Sequence, residues 1–215
     1  MKTGESLGSR LKRGVCCFGL SVVLPCPSVI EMAALAGYDF VRIDWEHALF
    51  GAIELRELLN TARLVGMPCQ VRVPELTMIT PLLGQEPAGI MVPHVESEKE
   101  ARAAVDACRF QPLGRRGMDG NTRRMRCEGM TRRTYMEYQQ ENLDIVVQIE
   151  SIPAMEKIDE ILSLDGITMA ATGRADLSQE LGFPGQKNHP AVLEVEEFII
   201  RKVLEHGKHP IIAAE

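Results

Sequence analysis

Two carboxylates carry the first chemical signal in this chain. Glu150 closes the run Val147-Gln148-Ile149-Glu150, and Asp176 follows 26 residues later in Gly173-Arg174-Ala175-Asp176-Leu177-Ser178. Each comes after an apolar, β-branched stretch, Ile145–Val147 and Ile167–Ala171, of the kind that forms buried parallel strands. Ala154 to Leu164 reads as the helix between them. A strand-helix-strand unit returns the chain to the same edge of a sheet, so both acids are expected side by side at strand C-terminal ends. Parallel α/β enzymes place their chemistry there. Two hard oxygen ligands and no soft one suit Mg²⁺ or Mn²⁺.

A second group precedes them. Strand two ends in Ile43-Asp44-Trp45-Glu46-His47, which sets a His beside carboxylates and suits a general base near neutral pH. Strand three ends in Val71-Arg72-Val73-Pro74 and projects Arg72 at the same rim, where a guanidinium can hold a keto acid or stabilise an enolate. Strand four ends in Val92-Pro93-His94, and Gln148 precedes Glu150 on strand five. Taken singly, each has a plainer reading. His47 and His94 read as satisfied structural residues, Arg72 as an inter-strand salt bridge, and Glu46 as a surface or supporting group. Polar groups at the same end of strands two, three, five and six are costly to bury without a shared purpose.

The elements that must position them alternate strand and helix throughout. Strands are expected at Phe18–Val23, Phe40–Ile43, Cys69–Val73, Gly89–Val92, Ile145–Ile149, Ile167–Ala171 and Pro210–Ala213. Helices are expected at Ser28–Ala36, Ile53–Leu64, Ser97–Cys108, Arg132–Gln140, Ala154–Ser163 and Ala191–His206. Ser97 with Glu100 forms a capping box, Ala101, Ala104, Val105 and Cys108 a one-sided apolar stripe, and Gly207 a C-cap. The alternation predicts an α/β fold with a parallel sheet, a TIM (β/α)8-type barrel in one domain over residues 1–215. Such a barrel needs an eighth strand, and none is readable before Glu215, so the expectation is a C-terminally shortened barrel with an unpaired edge.

The 215 residues are 45% hydrophobic, enough for one sizeable core, and the net charge of −6 argues against general nucleic-acid binding. Six cysteines without a CxxC pair read as reduced thiols of a cytoplasmic protein. Lys12-Arg13 before Gly14–Cys26 resembles a short signal-peptide core, but a first strand is the favoured reading. No apolar run reaches the roughly 20 residues of a membrane span. The segment Leu113–Arg133 carries Arg115, Arg116, Arg123, Arg124, Arg126, Arg132 and Arg133. A solvated, salt-bridged loop or subunit contact is favoured there over a phosphate, coenzyme A or nucleic-acid contact. Gly114 and Gly117 can shape a tight turn.

Six motifs in order resemble the HpcH/HpaI aldolases. They are Asp44-Trp45-Glu46-His47, Val71-Arg72-Val73-Pro74, Met91–Ser97, Gly114-Arg115-Arg116-Gly117, Gln148–Ser151 and Ala175-Asp176-Leu177-Ser178. The resemblance runs from about Gly14 to the last residue. It implies a class II pyruvate aldolase that cleaves 4-hydroxy-2-oxo acids to pyruvate, or a close analogue, and an aldehyde. It implies Glu150 and Asp176 as ligands of Mg²⁺ or Mn²⁺, with Co²⁺ or Zn²⁺ as variants. His47, oriented by Asp44 and acting through a water, would be the base, and Arg72 would stabilise the enolate. Gln148, Ala175 and Asp176 would contact the substrate. It further implies a homo-oligomer, typically hexameric, whose final helix is often exchanged between neighbours. The chain departs from the pattern at Arg174 and Leu49, where Pro is usual, and at Gly84, where some members carry an Asp that strengthens the base and where Glu86 lies close. A citrate-lyase-type acyl-CoA lyase and a degenerate, non-catalytic subunit are the competing readings.

Overall fold

Apolar runs build the strands, and β-branched residues, which pack well on a pleated surface, are densest at Ile145–Ile149. The computed structural model describes residues 7–118, 120 and 122–214. In chain order the elements are α1 (Leu7–Lys12), β1 (Gly19–Val22), α2 (Pro27–Leu35), β2 (Phe40–Asp44), α3 (Ala52–Leu64) and β3 (Cys69–Arg72). A 3-10 turn (Leu76–Met78), α4 (Ile79–Leu83), β4 (Gly89–Val92), α5 (Glu98–Cys108), α6 (Arg123–Cys127), α7 (Arg132–Asn142) and β5 (Asp144–Ile149) follow. The chain continues through α8 (Ile152–Glu156), α9 (Ile158–Leu162), β6 (Met169–Thr172), α10 (Arg174–Glu180), α11 (Pro190–Glu205) and β7 (His209–Ile211).

The chain divides into two compact units, one running to Ile90 with Ala107–Asp144, the other holding Met91–Asp106 and everything from Ile145 onward. In the first unit β1, β2 and β3 pair in parallel. The β2–β3 register sets Ile43 opposite Val71 and Asp44 opposite Arg72, so the last residues of both strands are neighbours. Ile43 and Val71 are fully buried beneath that pair. In the second unit β5, β6 and β7 are parallel, with Gln148 opposite Ala171 and Ile149 opposite Thr172. One further step along that register sets Glu150 against Gly173. Every residue of β4, β5 and β6 is buried, as in parallel sheets whose two faces are covered.

The expected strands are all present, with ends moved by a residue or two. Gly19–Val22 is a strand, and it pairs with Phe40–Ile43 of β2. Ser97 Oγ accepts from the Glu100 amide at 3.3 Å, while the Glu100 carboxylate reaches back to the Glu96 amide at 2.8 Å. Gly207 has φ 68, and the amides of Gly207 and Lys208 bond to the carbonyls of Leu204 and Val203, closing α11 in a Schellman turn. The helix expected at Ala154–Ser163 is two short helices, interrupted at Lys157 with φ −111 and ψ 17. Helices α1, α4, α6 and α10 were not expected. All are short, and α6 lies inside the expected loop, with the Thr122 side chain capping it through the Met125 amide. All six cysteines are free, and burial pushes the Cys69 and Cys108 thiols up to about 12. Among the described residues, no helix is long and apolar enough to cross a membrane.

Candidate active site

In the first unit the end of β2 folds into a compact loop around one carboxylate. Asp44 Oδ1 accepts from the backbone amides of Glu46 and His47, each at 3.2 Å. The Trp45 amide bonds to the Arg72 carbonyl at 3.0 Å, and its indole to the Phe50 carbonyl at 3.0 Å. These bonds fix Glu46 and His47 over the strand ends. Arg72 then reaches three side chains. Its Nε and Nη2 donate to Asp44 Oδ1 and Oδ2 at 3.0 and 2.5 Å, and Nη1 lies 3.1 Å from Glu46 Oε2. Nη2 is also 2.8 Å from His47 Nδ1.

A guanidinium only donates, so that contact makes His47 Nδ1 an acceptor and puts the ring proton on Nε2. The ring is 63% exposed, open to a reactant, and its Nδ1 is 3.6 Å from Asp44 Oδ2. Asp44 therefore orients His47 through the backbone amide and through Arg72 rather than by a direct ring hydrogen bond. Burial alone would push the Asp44 carboxyl up; the hydrogen bond and charge of Arg72, with the His47 amide, outweigh it and hold the group below its usual range. Asp44, Glu46 and His47 also bring three donor atoms within 4.8 Å of one another, near enough to share a cation. Arg72 already contacts all three, by hydrogen bonds to Asp44 and His47 and an ion pair with Glu46, so this group fits proton transfer and oxyanion stabilisation better than a divalent metal.

In the second unit Glu150 is 3% exposed, just beyond β5. Its Oε1 accepts from the His94 amide at 2.9 Å and lies 3.0 Å from His94 Nδ1, while Oε2 accepts from the Gln148 side-chain amide. His94 adopts φ 53, a left-handed conformation unusual for a non-glycine residue, and this conformation turns its amide toward the carboxylate. Gly173 packs against the same group. A Cβ there would stand 2.3 Å from Glu150 Oε2 and 2.7 Å from its Cβ, so only glycine fits without movement.

Asp176 is not at a strand end. It lies in the first turn of α10, four residues past the end of β6, where a carboxylate is favoured by the helix dipole. It is half-buried, and Oδ1 accepts from Gln179 at 3.3 Å. Ala175 is exposed on the same turn, its carbonyl taken by the Ser178 hydroxyl at 2.6 Å. Gln148, expected to contact substrate, is buried with its amide on Glu150 and thus orients that carboxylate. Arg174 turns to Asn188 at 2.8 Å, to the Ala213 carbonyl at 2.6 Å and to Glu196 at 3.6 Å, tying the start of α10 to neighbouring segments. The chemistry of the donors fits a divalent ion: Glu150 and Asp176 offer hard carboxylate oxygens.

The arginine-rich segment is largely bonded within its own unit. Arg116 stacks over Phe110 at 4.5 Å and donates to Gln139 and Tyr135. Arg124 covers Tyr138 at 4.4 Å and pairs with Glu128; Arg133 pairs with Glu137. Sequence reading undervalued His94, whose backbone strain is not encoded in residue type, and Gly173, whose role appears only once Glu150 is seen against it.

A model of the HpcH/HpaI aldolase/citrate lyase family matches residues 18–214. The chain belongs to this family. It is 32% identical over 201 residues to the 2-keto-3-deoxy-L-rhamnonate aldolase of Escherichia coli K12, covering 93% of this chain and 75% of that one. Among solved structures, an HpcH/HpaI aldolase from Desulfitobacterium hafniense superposes with TM-score 0.90 at 29% identity, covering 99% of this chain and 83% of that one. Citrate synthase SbnG superposes with TM-score 0.87 at 31% identity, covering 98% and 82%. The fold is therefore the α/β fold of the TIM-barrel aldolases, and the chain is a carbon–carbon lyase of the aldolase type in a divalent-metal-dependent family.

Proposed function

We propose that the protein cleaves 4-hydroxy-2-oxo acids to pyruvate, or a close analogue, and an aldehyde. The Asp44–Arg72–His47 group carries this reading: a guanidinium and an exposed neutral imidazole are held on one buried carboxylate, an oxyanion donor beside a base. His47 takes the C4 hydroxyl proton through a water, the C3–C4 bond breaks, and its electron pair moves toward the 2-oxo oxygen. Arg72 donates to the oxygen that gains charge. Glu150 and Asp176 hold Mg²⁺ or Mn²⁺, with Gln148 and His94 fixing the Glu150 carboxylate and Ala175 lying beside the pyruvyl part. The metal supplies Lewis-acid polarisation of the 2-oxo acid. Use of both groups in one reaction rests on family membership. The protein works as a homo-oligomer, as the family does.

An acyl-CoA lyase reading draws on the arginine-rich segment, but Arg116, Arg124 and Arg133 are engaged by their own chain, which weakens it. Pyruvate release from 4-hydroxy-2-oxo acids, coupled to lactate dehydrogenase, tests the proposal. Turnover with Mn²⁺ and its loss in EDTA are expected. Folded, Mn²⁺-binding protein that releases no pyruvate would refute it. Calorimetry of Asp176→Ala checks the metal assignment, and an unchanged Mn²⁺ affinity would remove Asp176 from the ligands.

A further inference from the structure

At the start of β3 the first unit holds a cavity of about 190 Å³. Its polar lining is Arg63, Glu86, Arg124, Gln139, Asn142 and Asp144, with Tyr138 as an aromatic wall. It is separate from the Asp44–Arg72 group: Cys69, which lines it, opens β3, and Arg72 closes that strand about 10 Å further on. The volume exceeds by several-fold the roughly 30 Å³ share of one water and is below that of drug-sized pockets, so it suits about six to eight non-hydrogen atoms.

Glu86 is the unusual member. Its side chain is 2% exposed, and its backbone is left-handed at φ 58. Oε1 accepts from the Arg124 amide at 3.3 Å. Oε2 lies 3.7 Å from Arg124 Nε, beyond hydrogen-bond range, and both atoms are buried without a hydrogen bond. A buried carboxylate oxygen and a buried guanidinium N–H left in this state are costly, unless a group that donates to one and accepts from the other sits between them. A hydroxyl does both. Arg63, Arg123 and Arg124 interact there with Glu86 and Glu128, and Asp144, which lines the same cavity, has its carboxyl raised to about 7 by burial, so one positive charge stands uncompensated below that pH. The stacking of Arg124 on Tyr138 holds its guanidinium in place.

We propose that this cavity binds the anion of a small 2-hydroxy acid, with Arg63 and Arg124 taking the carboxylate and the hydroxyl donating to Glu86 Oε2. A 2-oxo acid would set a keto oxygen against the Glu86 carboxylate, acceptor against acceptor. A plain carboxylic acid would leave Oε2 unsatisfied. A zwitterionic amino acid would leave the surplus positive charge standing. The proposal is independent of the retro-aldol reading.

The test uses the whole chain labelled with 3-fluorotyrosine, whose three tyrosines give separate fluorine signals, at about pH 6, where Asp144 is neutral, and in EDTA so that no metal site contributes. L-lactate is expected to shift the Tyr138 signal saturably, while Tyr38 keeps its position. Propionate and pyruvate are expected to bind at least about tenfold more weakly, since each lacks the hydroxyl bonded to a charged acceptor. Arg124→Gln is expected to abolish the lactate shift. The selectivity of the unmutated protein decides the matter even if that variant misfolds. No saturable shift would mean that the cavity holds water only and would overturn the proposal. Equal affinity for lactate and propionate would overturn the role of Glu86. A shift lost in Arg72→Lys but kept in Arg124→Gln would place the anion at the catalytic group instead.

Discussion

Gly173 touches no reactant in the proposed chemistry, yet its replacement should disable the site. The backbone there has φ −118 and ψ 79, outside the left-handed region that favours glycine, so the cost of Gly173→Ala lies in its contacts. The added methyl would stand 2.3 Å from Glu150 Oε2, 2.7 Å from Glu150 Cβ and 3.0 Å from Gln148 Nε2. Regaining an ordinary contact near 3.4 Å requires the carboxylate oxygen to move by about 1 Å. Glu150 cannot swing freely, because His94 and Gln148 hold both of its oxygens. Either those bonds lengthen or the Gly173–Arg174 backbone retreats and carries Asp176 with it. Overpacking of this kind costs about 1–3 kcal/mol. A ligand misplaced by 1 Å loses rate on the order of 10²-fold. Mn²⁺ affinity in Gly173→Ala should fall about 10- to 100-fold, with turnover falling alongside, while the melting temperature drops only a few degrees. Isothermal titration with Mn²⁺, the coupled pyruvate assay and a thermal melt read the three quantities. Native Mn²⁺ affinity together with native turnover would refute the assignment of Glu150 to the metal.

Arg72→Lys keeps a cation beside the buried Asp44 but loses the fork that reaches Asp44, Glu46 and His47 together. Turnover should fall about 10²-fold with Mn²⁺ affinity unchanged, and native turnover would remove Arg72 from the mechanism. Asp144 is buried, and its burial raises its carboxyl from 3.8 to about 7 despite the opposing Gln70 and Arg109. A raised folded-state value favours the neutral form, so the native state loses stability as pH climbs from about 4 through about 7. At about 1.4 kcal/mol per unit the loss approaches roughly 4 kcal/mol. Asp144→Asn should match the native protein near pH 4 and exceed it in urea unfolding at pH 8. Parallel stability curves for the two proteins would show that Asp144 does not titrate in this way.

Strand positions were legible because buried parallel strands are written as continuous apolar runs, as at Ile145–Ile149. The Asp44–Arg72 pair was legible as two polar residues at strand ends, and the parallel register makes them neighbours. Asp176 was expected at the C-terminal rim of its strand, and the helix that carries it was not foreseen. The strand stops at Thr172, and a seven-residue helix such as α10 is too short to show helical periodicity. The break at Lys157 was hidden because Ile158, Ile161 and Leu162 continue the apolar pattern across it. His94 could not be weighed from its type, since its part depends on a backbone angle that residue type rarely reveals. The arginine-rich segment was expected as a solvated, salt-bridged loop or subunit contact, but which aromatic and acidic partners it meets, Phe110, Tyr138 and Glu128, is recognisable only in the folded unit.

The charge arrangement around Arg72 bears on how a base and an oxyanion donor can share one guanidinium. With His47 neutral, Arg72 faces two carboxylates, so the group carries a net charge of −1 and meets a developing oxyanion through a directed hydrogen bond rather than through surplus charge. The Arg72 Nη2 contact also occupies the lone pair on His47 Nδ1 that a base would use. That restriction lifts in one movement. If Nη2 turns from His47 to an oxygen that is gaining charge, Nδ1 is released to accept a proton as the oxyanion is stabilised, while Nε stays on Asp44 Oδ1 and keeps the residue anchored. The base would then be exposed only when a substrate oxygen is present to draw Arg72 away. This explains why Asp44 should be so firmly ionised: a carboxylate held below its usual range keeps Arg72 tethered through the exchange, whereas a neutral acid would let the whole side chain follow the substrate.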